Sequence, residues 1–105
     1  MVEAIIDDIN YRLDKDNQTA EVIKRREGIY NDYDGDIIIP ETVVFNGANY
    51  RVMSIEWWAF CGCKSLTSIT FQGTIAQWKK IALRDSWKHN IPATVVHCTD
   101  GDVEI

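Results

Sequence analysis

Ser54-Ile55-Glu56-Trp57-Trp58-Ala59-Phe60-Cys61-Gly62-Cys63-Lys64-Ser65-Leu66-Thr67-Ser68-Ile69-Thr70-Phe71 is the stretch whose reading decides the fold. It reads as a short helical turn, a tight corner at Gly62 and then a strand. The apolar set Ile55, Ala59, Phe60, Cys63, Leu66, Ile69 and Phe71 is directed inward from three different local geometries. A coil of short elements stacked on its neighbours buries a common core in this way, so the stretch is expected to be one rung of a solenoid.

Immediately upstream, Val43-Val44-Phe45 and Tyr50-Arg51-Val52 flank Asn46-Gly47. Asn-Gly between alternating residues is a strong hairpin signal, because both positions accept positive φ. Ile37-Ile38-Ile39 reads as a short buried strand stopped by Pro40. Further out, Ile9 to Leu13 alternates apolar and polar, Asp14 to Gln18 is a polar turn, and Thr19 to Ile23 returns as a second strand. Downstream the period changes. Thr74 can cap a helix whose positions Ile75, Trp78, Ile81 and Ala82 share one face, with Lys79, Lys80 and Arg84 opposite. Pro92 closes the next loop, Thr94 to Cys98 is a last strand, and Asp100-Gly101-Asp102 is a turn.

These residues carry a resemblance. Gly35 to Val43, Tyr50 to Ile55, and the run Ala59-Phe60-Cys61-Gly62-Cys63-Lys64-Ser65-Leu66-Thr67-Ser68-Ile69 resemble the BspA-type leucine-rich repeats of bacterial surface proteins. Gly73-Thr74, Gln77-Trp78, Ile81, Trp87 and His97 to Gly101 resemble the C-terminal unit frequent in that family. The resemblance implies a short, mostly β leucine-rich-repeat solenoid with short helices, an N-terminal β-hairpin cap and one C-terminal amphipathic helix. The expected division of a single domain is 1–34 for the hairpin cap, 35–72 for the rungs and 73–105 for the terminal unit. One complete repeat is fewer than the three or so that solenoids need, so the hairpin is expected to cap the open end. The resemblance implies a cell-surface or secreted, adhesive protein. The start Met-Val-Glu-Ala-Ile-Ile-Asp-Asp shows no basic region followed by an apolar one, hence no signal peptide, which leaves the cytoplasm as the alternative.

A chain of 105 residues with 46% apolar and 26% charged residues is expected to be one ordinary globular domain. Its net charge of -5 argues against a nucleic-acid partner, since phosphate binding needs a basic face. The basic cluster Lys24-Arg25-Arg26 is short and reads as a solvated strand end. No apolar run is long enough to insert into a membrane. Cys61 and Cys63 are separated by a single glycine, too tight for a relaxed disulfide, and no disulfide framework is expected.

Three groups of residues bear on chemistry. Counting Tyr30 as position one of a twelve-residue calcium loop puts Asp32, Asp34, Gly35, Ile37 and Glu41 at positions three, five, six, eight and twelve. Tyr30 stands where the first carboxylate ligand belongs, and Pro40 opposes an exiting helix, so no calcium site is assigned. Cys61, Cys63, His97 and Cys98 are zinc-type ligands at an unusual spacing, and adjacent strand residues such as His97 and Cys98 face opposite ways. No metal, cofactor or catalytic residue is assigned, because His89 and His97 lack any nucleophile or phosphate-loop motif nearby. Trp57 and Trp58 are the candidate partner-binding residues. Neighbours on a helical turn lie about 100° apart, so the two rings cannot readily enter one core, while the resemblance to the family's terminal unit implies that Trp78 and Trp87 lie inside. An exposed tryptophan suits a sugar ring or a protein partner; the alternative expectation is that Trp57 or Trp58 packs under the N-terminal hairpin, or pairs two copies of the chain. The first expectation is therefore a non-catalytic protein- or glycan-binding module. The second is a purely structural cap or spacer of a larger surface protein, and the third is a small metal-dependent enzyme.

Overall fold

The computed structural model describes residues 1–25 and 33–105. Arg26 of the basic cluster and Tyr30 and Asp32 of the calcium-loop reading lie outside the described residues. The described elements are β1 (Val2–Ile6), β2 (Ile9–Asp14), β3 (Thr19–Val22), β4 (Gly35–Ile39), β5 (Thr42–Phe45), β6 (Ala48–Ile55), β7 (Leu66–Phe71), α1 (Ile75–Trp78), β8 (Ala82–Leu83), β9 (Val95–Cys98) and β10 (Gly101–Glu104). They build two sheets. One runs β1-β2-β3-β6-β5, with β8 against the end of β6, and the other runs β10-β9-β7-β4.

The expected solenoid is not what forms. The chain makes a compact, mostly β globule of two mixed sheets, 36 × 34 × 23 Å along its principal axes. The reason lies in the turns. Asp7 and Asp8 (φ 49° and 67°) reverse β1 into β2, and Asn46 and Gly47 (φ 51° and 77°) reverse β5 into β6. Such two-residue primed turns match strand twist and return the chain antiparallel to itself. Thr99-Asp100 also returns β9 into β10 antiparallel, though not as a primed turn, the positive φ there (146°) lying at Gly101. A solenoid needs each coil to advance onto the next, whereas these hairpins widen the sheets sideways. Parallel pairing survives only where strands distant in sequence meet, as β3 with β6 and β6 with β8, and as β4 with β7 and β7 with β9. The β2–β3 hairpin belongs to the larger sheet, with β3 paired along β6.

The expected amphipathic helix also shrinks, to the four residues of α1. Its start is as read: the Gln77 amide donates to Thr74 Oγ1 at 3.1 Å and the Thr74 amide donates to Gln77 Oε1 at 2.7 Å, a reciprocal capping box. Asp100 Oδ1 accepts from the Ile75 amide at 2.8 Å, tying this cap to the β9–β10 turn. The helix stops because Ala82 and Leu83 are drawn into the sheet beside Ser54 and Ile55. Helical propensity yields there to tertiary pairing.

The apolar set of the central stretch holds in full. Ile55, Ala59, Phe60, Cys63, Leu66, Ile69 and Phe71 are all 2% exposed or less. They share one core with residues of both sheets, including Leu13, Val22, Ile39, Val52 and Val96. Trp78 and Trp87 are buried as expected and pack ring to ring at 6.0 Å, and Phe71 and Phe60 extend the aromatic line at 5.5 and 5.9 Å. Offset and edge-on ring pairs of this kind add to area burial.

Candidate functional site

The turn that links β6 to β7 carries Trp57 and Trp58, and the core decides how they are displayed. Ala59 and Phe60, the next two residues, are fully buried. Phe60 sets its ring edge-on against Tyr33 at 5.4 Å and against Trp87 at 5.9 Å. With those positions inside, the two preceding side chains are turned out. Trp57 is 56% exposed and Trp58 50%. The segment is not a helix but a run of tight turns, in which the Ala59 amide donates to the Glu56 carbonyl and the Cys61 amide to the Trp58 carbonyl, each at 3.1 Å.

This turn is held from several sides. The Phe60 amide donates to the Trp87 carbonyl and the Gly62 amide to the His89 carbonyl, both at 2.8 Å. The His89 ring stands edge-on to Trp58, with centroids 6.4 Å apart. Trp58 itself has φ 63°, a left-handed conformation rare for a bulky residue. Such a residue stores on the order of 1–3 kcal/mol of strain and persists only where its surroundings fix it. The two backbone bonds to residues 87 and 89, and the buried Phe60, supply that fixing.

Glu56, just before Trp57, is fixed by charge. Arg12 donates from Nη1 to Glu21 Oε1 at 2.9 Å and from Nη2 to Glu56 Oε1 at 3.0 Å, and Glu3 lies 3.8 Å away. Ser54 Oγ donates to Glu21 Oε2 at 3.0 Å, and the Lys24 amide donates to Glu56 Oε2 at 3.1 Å. Burial works against the Arg12 charge, but the hydrogen bond to Glu56 and the charges of Glu56, Glu21 and Glu3 outweigh it, and its pKa is raised. A central guanidinium thus locks three strands to the root of the tryptophan turn.

β6 and β8 are parallel, so both leave the sheet at one end, and the half-exposed Leu83 lies beside Ile55 there. Leu83 and His89 are neighbours of the tryptophan turn that the sequence reading did not identify. Both follow from non-local pairing, and only the spacing of small turns around Asp85 to Asn90 hints at it.

The zinc-type residues are spread out. Cys63 is buried, Cys61 and Cys98 are half-buried, and none of the three is in a disulfide. His97 Nδ1 lies 2.8 Å from Asp102 Oδ1 across the β9–β10 hairpin. Burial pushes the Cys98 thiol pKa up, and the charges of Asp100 and Asp102 add to it, so its thiolate is disfavoured. Among the described residues no group of three or more His, Cys, Asp or Glu side chains is placed to hold a metal ion. Among them, too, no helix is long and apolar enough to cross a membrane. Compared with protein-family models, with curated proteins and with solved structures, the chain gives no match.

Proposed function

We propose that this chain is a non-catalytic binding module that presents Trp57 and Trp58 to a protein or glycan partner. The observation supporting it is the outward display of two adjacent tryptophans, one of them strained, on a turn anchored by buried neighbours. Large rigid aromatics lose little conformational entropy on binding, and a turn fixed in advance lowers the ordering cost further. Cell-surface or secreted placement, with a cytoplasmic one as the alternative, and membership of the BspA-type family belong to the same proposal, and rest on the motif resemblance.

The test uses the intrinsic fluorescence of the exposed rings. Oligosaccharides of several linkage classes and a panel of surface proteins are titrated into the parent and the Trp57→Phe and Trp58→Phe variants. Binding is expected to shift and quench the parent's emission, and Trp57→Ala is expected to abolish capture while leaving the unfolding curve in place. A dimer that dissociates on Trp57→Ala would assign the surface to a second copy instead. Should Trp57→Ala alter stability and nothing else, the structural-spacer reading replaces the binding one.

A further inference from the structure

A second surface lies at the opposite kind of feature, an open strand edge. β4 is the last strand of its sheet: it pairs with β7 and, among the described residues, with no strand on its other side. Edges are ordinarily guarded by charge, proline or irregular pairing. β4 is guarded at its ends, by the register shift at Gly35/Asp36 and by Pro40. Among the described residues its middle carries no such guard, and Ile38 is 48% exposed.

A groove of about 640 Å³ runs beside this edge, within the usual size of ligand sites. It is lined by Asp36, Ile37 and Ile38 of β4, by Asp7 and Asp8 of the β1–β2 turn, and by Tyr11. Among the described residues four carboxylates line it, those of Asp7, Asp8, Asp34 and Asp36, with the guanidinium of Arg25. The Tyr11 hydroxyl resists ionisation, first through burial and then through Tyr33 and the Asp7 charge, as expected where that charge is felt across the groove.

The geometry points to β4 and this groove taking up an extended basic peptide segment, added in β-strand fashion alongside Gly35–Ile39. Strand addition satisfies the open amides and carbonyls of an edge, and side-chain pockets supply selectivity. Asp36 and Ile38 face outward on one side of β4 and Ile37 faces the core. An incoming strand that alternates basic and aliphatic residues would set its basic side chains on the Asp36 side of β4 and its aliphatic ones on the Ile37 side, with the turn carboxylates lining the same groove. The carboxylates choose the sign of the partner, while the open edge supplies the binding.

The probe is a fluorescein-labelled peptide of about seven residues, close to strand length, alternating lysine and valine. Fluorescence anisotropy is expected to show saturable binding that weakens with added salt. A glutamate–valine peptide should fail to bind, and so should a lysine–valine peptide N-methylated on alternate amides. The variant Asp7→Asn/Asp8→Asn keeps the turn, because asparagine tolerates positive φ. It should bind roughly tenfold more weakly, as loss of two charge pairs implies. Trp57→Ala/Trp58→Ala should bind the probe like the parent, which separates this site from the tryptophan face. Equal binding of the N-methylated peptide would exclude strand addition, and equal binding of the acidic peptide would exclude charge selection. A parent protein that sediments as a dimer and releases monomer only when β4 is altered would assign the edge to a second copy and overturn the proposal.

Discussion

The four tryptophans divide into two pairs that the same fold treats in opposite ways. Trp78 and Trp87 are 2% and 7% exposed and pack at tilted and edge-on angles into an aromatic line with Phe71 and Phe60. Trp57 and Trp58 are about half exposed, one edge-on to a histidine and the other without a ring partner among the described contacts. The pairs are coupled through one residue. Phe60 packs on Trp87 and takes the core position that Trp57 and Trp58 would otherwise compete for. The buried pair stabilises the fold through area, and the exposed pair owes its position to that stability without contributing much to it. Backbone strain at Trp58 sharpens the contrast, since a residue chosen only for stability would not be a left-handed tryptophan.

The largest effect that can break this comparison comes from truncating one ring of each pair. Trp87→Ala removes a fully packed aromatic and is expected to cost about 3–5 kcal/mol in urea unfolding. Trp57→Ala removes an exposed ring and should stay within about 0.5 kcal/mol of the parent. Similar losses from both would mean that Trp57 is packed, and the division into two pairs would collapse.

Next in size is the charged root of the turn. Arg12→Met leaves Glu21 and Glu56 near one another without their shared cation and removes two short charge-assisted bonds. With the Arg12 side chain 29% exposed, the loss should be about 1–2 kcal/mol, and smaller in high salt. Unchanged stability in low salt would show that the turn is held by Phe60 and the backbone bonds alone.

Trp58→Gly tests the strain directly, and the expected sign is unusual for loss of a large side chain. Relief of the left-handed conformation outweighs the added backbone freedom of glycine, so stability should rise by about 1 kcal/mol. Trp58→Ala keeps the strained φ and should not rise. A fall in stability for the glycine variant would mean that the His89 contact outweighs the strain.

These sites show unequal legibility in the sequence. Ile55, Cys63, Leu66, Ile69 and Phe71 were readable because each is apolar between polar or turn-prone neighbours, which fixes the side regardless of what lies across the core, whereas Ala59 and Phe60 lie in the apolar run Trp57 to Cys61 and lack that signal. Asn46-Gly47 and Pro40 were readable because their backbone chemistry permits few alternatives. The solenoid expectation failed on a different kind of information. Whether Thr19–Val22 pairs with Arg51–Ile55, or Ala82–Leu83 leaves its helix to join Ser54–Ile55, depends on partners distant in sequence. Alternation of Val2, Ala4 and Ile6 is a local signal for β1, but an edge strand of half-buried residues is the weakest kind. Adjacent positions on a helical turn keep Trp57 and Trp58 from sharing one core position but leave either one free to enter it, and no local feature announces a left-handed tryptophan.

The smallest effect at neutral pH contrasts a buried ring with the wet groove beside it. Tyr11 is 1% exposed, yet it lines the groove between β4 and the β1–β2 turn. Burial disfavours its phenolate, so its pKa in the fold is raised above the ordinary value of 10.0. A group whose folded pKa is raised contributes stability that is complete below the unfolded value and is lost as pH climbs above it. The parent should therefore lose stability above about pH 10 more steeply than Tyr11→Phe, a variant with no proton to release there. At pH 7 the two should differ by about 1 kcal/mol or less, the scale of a single hydroxyl. The measurement is urea unfolding across the alkaline range, together with the absorbance of the phenolate. A Tyr11 signal that appears near pH 10 in the folded protein would place the hydroxyl in water. The groove would then be open down to its aromatic floor rather than closed over it.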